Sequence, residues 1–257
     1  MMKQPTLAII FTLLSLSISP SVLLAQSQRI EIRFIPRTAN QTPPSGGTRG
    51  TPTTTRGGGS RGDCISKTTP MTLLVGDKNL ESTISDRPTF WVYVPYTPAE
   101  TTSGEFSLQL GKNDIYRTSF TLPATPGIVS VTLPSSVKTL EIGQKYRWYF
   151  NINCPLIEGA TETPTPAFVT GRVEKVAFSS QVENELKAAK TSLERIAILA
   201  RNGIWYDTLS ELAQLRLQEP ENRDAIDAWN DLLKSNSIGL EGIAQERIVG
   251  NIKTNFL

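Results

Sequence analysis

The sequence contains no histidine, and this absence excludes several classes of chemistry. Without imidazole there is no Ser-His-Asp or Cys-His nucleophile system, no histidine metal ligand and no side chain that ordinarily exchanges protons near neutral pH. Carboxylates are then the main candidate metal ligands, and they suit calcium or magnesium better than zinc. We expect no cofactor, no metal site and no catalytic residue. Among hydrolytic mechanisms, only a carboxylate pair acting on sugars stays open.

Long apolar runs are scarce, and the one near the N-terminus predicts a secretory signal. A single lysine precedes an apolar stretch over residues 7–18, and Pro20 and the small residue Ala25 follow. This order is typical of a signal peptide over residues 1–25 that is cleaved after Ala25. The alternative is an uncleaved anchor, because the whole run approaches the roughly 20 apolar residues that span a bilayer. No later run is long enough to span a membrane, so we expect an exported chain, periplasmic or extracellular.

Cysteine is nearly absent, with Cys64 and Cys154 as the two examples. Two thiols that are exported together, with no third thiol to compete, predict one disulfide. A redox pair would have C-x-x-C spacing, which these residues lack. In the chain-entropy model, closing a loop of this length stabilises the fold by about 4 to 5 kcal/mol. We therefore expect a structural bond.

The charge is close to balance, with 26 basic and 24 acidic residues, which gives no argument for a nucleic-acid partner. Residues 26–63 are the basic part of the chain and consist largely of Pro, Gly, Thr, Ser and Arg. Because this segment has no apolar run that supports a core, we expect an extended or disordered tether. Its first part, Arg29–Ile35, alternates apolar and charged residues and could add one edge strand.

The stretch Arg56–Cys64 contains a G-x-G-x-x-G pattern, an RGD and an RGG. The glycine fingerprint binds dinucleotides only between a strand and a helix, and neither is expected here. A phosphate-binding loop requires lysine at the position of Asp63. We interpret the stretch as an arginine-bearing linker.

Residues 64–178 alternate with a period of two and are interrupted by Gly and Pro turns, which predicts short strands. The predicted strands are Thr72–Val75, Thr89–Val94, Glu105–Leu110, Ile115–Thr121, Ile128–Leu133, Lys145–Ile152 and Ala167–Val173. About seven short strands at this spacing suit an antiparallel β-sandwich of the immunoglobulin or fibronectin type. We expect the disulfide to fix the end of the tether to an edge of this sandwich.

Four aromatic residues of these strands are candidates for a sugar-binding platform: Trp91, Tyr93, Trp148 and Tyr149. Aromatic residues in strands are more often core residues or cross-strand partners. We therefore favour the core interpretation and keep the platform as the alternative.

Residues 179–250 change to a helical period. Ser180 with Glu183, and Thr191 with Glu194, are capping-box patterns, and an apolar helical stripe runs from Val182 to Ala200. Further predicted helices are Ile204–Leu217, Arg223–Lys234 and a short Leu240–Val249. The paired helices are loosely similar to a tetratricopeptide unit, and the simpler interpretation is a small helical bundle beside the sandwich.

Several stretches together carry a family resemblance. They are Arg56–Gly62 with Cys64, Phe90–Pro95, Leu140–Trp148 with Cys154, and Gly203–Asp207 followed by Trp229 and Leu232–Leu233. In this order they resemble a cyanobacterial family, that of domain of unknown function 928. Thr208 departs from the small alanine expected after Asp207. The resemblance implies export and a shared architecture, and it implies no activity, cofactor or catalytic residue.

Within the stretch Gly203–Asp207, Tyr206 and Asp207 are candidates to face a ligand. A structural role is the stronger interpretation, because Ile204 and Trp205 suit the core and Asp207 lies in the first turn of a helix. A carboxylate at that position interacts favourably with the helix dipole.

The leading functional hypothesis is a non-enzymatic module of the cell envelope that binds another protein or acts as a scaffold. The alternative is a carbohydrate-binding protein or a carboxylate-based enzyme acting on glycans. The sequence leaves the oligomeric state open.

Overall fold

The computed structural model describes residues 30–37, 64–75, 81–101, 103–156, 163–235 and 237–255. The predicted signal over residues 1–25, most of the predicted tether and the glycine and RGD patterns of Arg56–Asp63 lie outside the described residues.

Short strands form where the period-two pattern predicts them. They are β1 Thr72–Leu73, β2 Ser82–Thr83, β3 Thr89–Val94, β4 Ser103–Leu110, β5 Asn113–Thr121, β6 Gly127–Thr132, β7 Lys145–Ile152 and β8 Ala167–Lys175. In β7 every second residue from Tyr146 to Ile152 is buried, as the alternation requires. The predicted strands are confirmed, with ends that shift by one or two residues. β2 was not predicted, because two residues carry no periodic pattern.

Two further strands, β9 Ile248–Asn251 and β10 Thr254–Asn255, follow the helices. One sheet has the strand order β1-β3-β6-β9 and the other has the order β10-β5-β4-β7-β8-β2. Most neighbours are antiparallel, but β2 runs parallel to β8 and β9 runs parallel to β6. The expectation of a purely antiparallel sandwich is therefore corrected to two mixed sheets. Each parallel strand is far along the chain from its partner, and such a separation permits parallel pairing.

Four helices lie between β8 and β9: α1 Ser180–Ala188, α2 Ser192–Arg201, α3 Trp205–Gln218 and α4 Arg223–Lys234. The capping box at Thr191 and Glu194 is confirmed, since each side chain accepts a hydrogen bond from the other's backbone N–H. At α1 the cap is Ser179 rather than the predicted Ser180. The predicted apolar stripe is thus divided between α1 and α2, because Thr191 begins a new helix.

The prediction of a fourth short helix over Leu240–Val249 is wrong. A single 3₁₀ turn covers Glu241–Ile243, and the chain then extends into β9. The Ile128 N–H donates to the Arg247 carbonyl at 2.7 Å, and the Ile252 N–H donates to the Ser130 carbonyl at 3.0 Å. The open edge of β6 offers these backbone partners, and tertiary pairing overrides a weak local helical preference.

The four-stranded sheet lies between the six-stranded sheet and the helices. On one side of β3, the Phe90 ring lies 5.0 Å from Phe106 and 5.2 Å from Trp148 of the six-stranded sheet, centre to centre. On the other side, the Trp91 indole N–H donates to the Ser210 hydroxyl of α3 at 2.9 Å. Both faces of β3 are therefore buried, and one continuous apolar core joins the sheets to the helices.

Residues 30–37 contact the helices instead of adding an edge strand to the sheets. The Ile35 N–H donates to the Ala200 carbonyl at 3.1 Å, at the end of α2. The Phe34 ring packs edge-on against Trp205 with 5.0 Å between ring centres. The alternation in this segment buries Ile32 and Phe34, but the surface that they meet is helical.

The predicted disulfide between Cys64 and Cys154 is confirmed, with 4.7 Å between the two Cα atoms. Cys154 follows the end of β7, so the bond joins Cys64 to the six-stranded sheet. In the part of the chain that the structure describes, no helix combines the length and the apolar character that a membrane crossing needs.

Candidate functional site

Three of the four candidate platform residues are buried. Trp148 is 0% exposed, Trp91 is 3% exposed and Tyr93 is 5% exposed. Trp91 lies against α3 and Trp148 lies between the two sheets, so their rings do not share a surface. Tyr149, the fourth candidate, is half-buried and lies on the outer face of β7, because the pleat turns it away from Trp148.

Tyr149 borders an open depression of about 420 Å³ on the outer face of the six-stranded sheet. We call this surface the basic depression. Its lining residues are Gln109, Gly111, Lys145, Tyr146, Arg147, Tyr149 and Arg172. Three of these residues are cations, and none is an acid.

The register of the strands brings the cations together. Arg147 of β7 lies directly opposite Arg172 of β8, and Gln109 of β4 lies opposite Arg147 on the other side. Lys145 and Tyr149 lie two residues before and after Arg147, on the same face of β7, at a spacing of about 7 Å. Like charges that face each other across two strands destabilise the pair. Such charges repel each other unless acids or a ligand lie close to them.

Nearby acids compensate only part of this charge. Glu81 lies 3.6 Å from Arg172 and 3.8 Å from Lys145, and Glu174 lies 3.6 Å from Lys145. Burial raises the pKa of Glu81 even though these cations lower it. Among the described residues, no carboxylate lies within ion-pair distance of Arg147.

Tyr206 is buried and connects the helices to the back of the basic depression. Its hydroxyl donates to the Arg172 carbonyl at 2.6 Å and accepts from the Trp148 indole N–H at 2.8 Å. Burial raises the pKa of the phenol far above its ordinary value. The side chain thus fixes the backbone of β8 at Arg172.

Asp207 lines a second, smaller cleft of about 150 Å³, with Glu211 one helical turn further along α3. One carboxylate oxygen of Asp207 accepts from the Thr83 hydroxyl at 2.8 Å and from the Ile84 N–H at 3.1 Å. Burial raises the pKa of Asp207 to about 6, against the effect of these two hydrogen bonds. Asp207 lies in the first turn of α3, as its predicted interaction with the helix dipole requires.

Glu211 is held by Arg195, whose Nε–H lies 2.9 Å from one carboxylate oxygen and 3.0 Å from the other. Burial raises the pKa of Glu211, and Arg195 lowers it. Both acids of the cleft therefore have partners within the fold. The cleft joins β2 to α3, and its chemical feature is a carboxyl whose pKa is raised to about 6.

No group of three or more cysteines, aspartates or glutamates within the described ranges is arranged to hold a metal ion. The side chains of the basic depression are hydrogen-bond donors and cations, so they suit an anionic ligand rather than a metal.

Sequence reasoning missed Lys145, Arg147 and Arg172, although it placed all three in predicted strands. Their positions alternate with buried residues, which assigns them to an outer face. The pairing of β7 with β8, and its register, bring Arg147 and Arg172 side by side. Neither is encoded in the local pattern.

The fold and the site define a protein of two packed mixed sheets with a helical layer and a depression lined by three cations on the outer face of the larger sheet. The chain belongs to the family described as Domain of Unknown Function (DUF928), which matches residues 56–248. No curated protein shows a significant match to the sequence.

Proposed function

We propose that this protein is an exported, non-enzymatic binding module of the cell envelope. Its binding surface is the outer face of the six-stranded sheet at the basic depression, and its partner carries negative charge there. The observation that carries the proposal is the direct pairing of Arg147 with Arg172. Glu81 lies within ion-pair distance of Arg172, but no carboxylate of the described residues lies within that distance of Arg147, so an anionic partner can pair with Arg147.

The N-terminal charge and apolar pattern, together with the disulfide, supports export. Export is tested by isolating the protein from envelope and periplasmic fractions and determining its first residue. The expected N-terminus is Gln26, which follows the predicted cleavage site. A chain that stays in the cytoplasm with residues 1–25 attached would contradict this part of the proposal.

The binding surface is tested by sedimenting the purified, disulfide-bonded protein with isolated cell envelopes. Arg147→Glu reverses the charge of a half-buried side chain that has no ion-pair partner among the described residues. We expect the envelope affinity to fall about tenfold, which corresponds to about 1.4 kcal/mol.

Lys187→Glu is the matched control, because it reverses an exposed cation on α1 that does not line the depression. Its affinity for envelopes is expected to stay within about twofold of the original, a change of about 0.4 kcal/mol. Equal losses for Arg147→Glu and Lys187→Glu would show a nonspecific charge effect and would overturn the proposed surface.

Two comparisons with known architectures are part of this proposal. The sandwich is compared with immunoglobulin or fibronectin domains, and the pair α2 and α3 is compared with a tetratricopeptide unit. Both architectures bind other proteins, which supports an envelope protein as a partner, and a glycan is the other partner class. The cyanobacterial source that the family resemblance implies is also part of the proposal.

A carboxylate-based enzyme acting on glycans is the second candidate, and the Asp207 cleft favours it. A carboxyl whose pKa is about 6 can hold a proton for a leaving group near neutral pH. Glycan hydrolysis that disappears in Asp207→Asn while folding is retained would establish this candidate. Equal hydrolysis by both proteins would remove it.

A further inference from the structure

Deepening the proposed function, and resting on it, we propose that the basic depression binds an acidic polysaccharide, with sugar carboxylates held between Arg147 and Arg172. The guanidinium group presents donors in a planar fork that matches a carboxylate with two parallel hydrogen bonds. Arg147 and Arg172 occupy directly opposed positions on β7 and β8, and both line the depression.

The other lining residues suit sugar rings. Tyr149 lies two residues from Arg147 on the same face of β7, and its half-buried aromatic side chain lines the depression. Gln109 lies beside Arg147 on β4. Its amide donates to Asp114 at 2.8 Å, and its carbonyl oxygen and second N–H are available to hydroxyl groups. Lys145 is a third cation at the exposed end of the row, where Glu81 and Glu174 compensate part of its charge.

The position of the depression favours a polysaccharide over an acidic peptide strand. Peptides that add to a sheet use the unpaired backbone groups of an edge strand. The depression lies on the outer face of β4, β7 and β8. β4 and β7 have a neighbour on both sides, and β8 pairs on its far edge with β2 only at Glu174 and Lys175. Recognition at this face therefore uses side chains, and an extended chain of charged sugars can lie across them.

Tyr206 holds β8 from the buried side at the position of Arg172. Its hydroxyl bonds to the Arg172 carbonyl on the buried side of β8, while the Arg172 side chain points to the opposite, outer side. The Gly203–Asp207 stretch thereby fixes the strand position at which one of the two guanidinium groups is attached.

The test measures binding of the purified, disulfide-bonded protein to immobilised alginate, which is a polymer of uronic acids. We expect binding to alginate and none to uncharged dextran. Binding should weaken as the salt concentration is raised above about 0.15 M, where charges more than about 8 Å apart are screened.

Arg147→Gln and Arg172→Gln are each expected to lower the alginate affinity about tenfold, and Tyr149→Ala to lower it several-fold. Arg147→Lys keeps the charge but loses the fork, so we expect an intermediate affinity. Lys187→Gln is the control and should bind as the original does. Unfolding in urea confirms that each variant is folded.

Poly-glutamate is the competing ligand in the same assay. Preferential binding of alginate over poly-glutamate supports the proposal, and equal or tighter binding of poly-glutamate overturns it in favour of an acidic protein segment. Absence of alginate binding also overturns it. If envelope binding still depends on Arg147 in that case, the proposed function stands while the polysaccharide assignment fails.

Discussion

Tyr206 uses its hydroxyl oxygen twice, as a donor to the Arg172 carbonyl and as an acceptor from the Trp148 indole. Its neighbours behave similarly: the Trp205 indole N–H donates to the Leu74 carbonyl at 2.8 Å, and Asp207 accepts from Thr83 and Ile84. At the residue scale, three consecutive side chains thus attach the start of α3 to both sheets.

Tyr206→Phe is predicted to lower the free energy of unfolding by about 1 to 3 kcal/mol, because it leaves a buried carbonyl and a buried indole N–H without this partner. Urea denaturation measures the change. Tyr116→Phe is the matched control, since the Tyr116 hydroxyl makes no hydrogen bond to any described residue. Equal stability of the two variants would contradict the assigned role of Tyr206.

The raised pKa of Asp207 predicts that the stability of the folded protein depends on pH. Its pKa rises from an ordinary value of 3.8 to about 6 on folding, so the folded protein binds the proton more tightly than the unfolded chain does. The contribution of Asp207 to stability is therefore greatest below about pH 4 and is lost as the pH rises through about 6.

Asp207→Asn carries no charge and keeps an acceptor oxygen for Thr83 and Ile84. Relative to the original protein, we expect this variant to be more stable at pH 7 and to lose that advantage as the pH is lowered to about 4.5. Urea denaturation at several pH values measures the difference. Glu211 also has a raised pKa. Because Glu211 is present in both proteins, its own titration does not account for the difference between them. A difference that does not vary with pH would refute the prediction.

At the scale of elements, Gly203 decides how α2 ends. Its φ angle is +70°, and an added Cβ atom would lie 2.5 Å from the Arg37 side chain and 2.8 Å from the Ile35 carbonyl oxygen. One glycine therefore permits both the left-handed end of α2 and the close approach of residues 30–37.

Gly203→Ala is predicted to cost at least about 1 to 2 kcal/mol of unfolding free energy, because a left-handed backbone is unfavourable for alanine, and the contact with residues 30–37 adds to this cost. Gly242→Ala is the control, since nothing lies within 4 Å of its added Cβ atom. Thermal or urea unfolding compares the two variants. A Gly203→Ala protein as stable as Gly242→Ala would show that neither constraint is important.

Elements with a strong local signal were predictable, and those formed by pairing were not. The alternation in β7 and the capping box at Thr191 are local properties of the chain, and both are found. β9 was predicted as helix, because its strand state depends on the backbone groups of β6, which are more than 100 residues away along the chain.

At the scale of the whole molecule, the Cys64–Cys154 bond closes a loop across a sequence separation of 90 residues. Replacing both cysteines by serine is predicted to lower the free energy of unfolding by about 4 kcal/mol in the chain-entropy model. Urea denaturation of the original protein, with and without a reductant, provides the matching measurement. If the reduced and oxidised proteins unfold at the same urea concentration, the bond is not an important constraint.

The candidate site shows the same division between local and tertiary information. Tyr149 was a candidate from the sequence, as one of the four aromatic residues considered for a sugar-binding platform. Arg147 and Arg172 were not, because a charged residue on an outer strand face is ordinary until its neighbour across the sheet is known. The register of β7 against β8 supplies that neighbour.

The sequence by itself determined seven of the strands and the helices as far as α4, which two sulfur atoms form a bond, and which chemistry the absence of histidine excludes. These depend on local periodicity and on residue counts. The tertiary structure alone decided that β9 and β10 rejoin the sheets, that Tyr206 is buried and that two guanidinium groups share one outer face. Those outcomes depend on contacts between residues that are distant in the chain, which local patterns do not record.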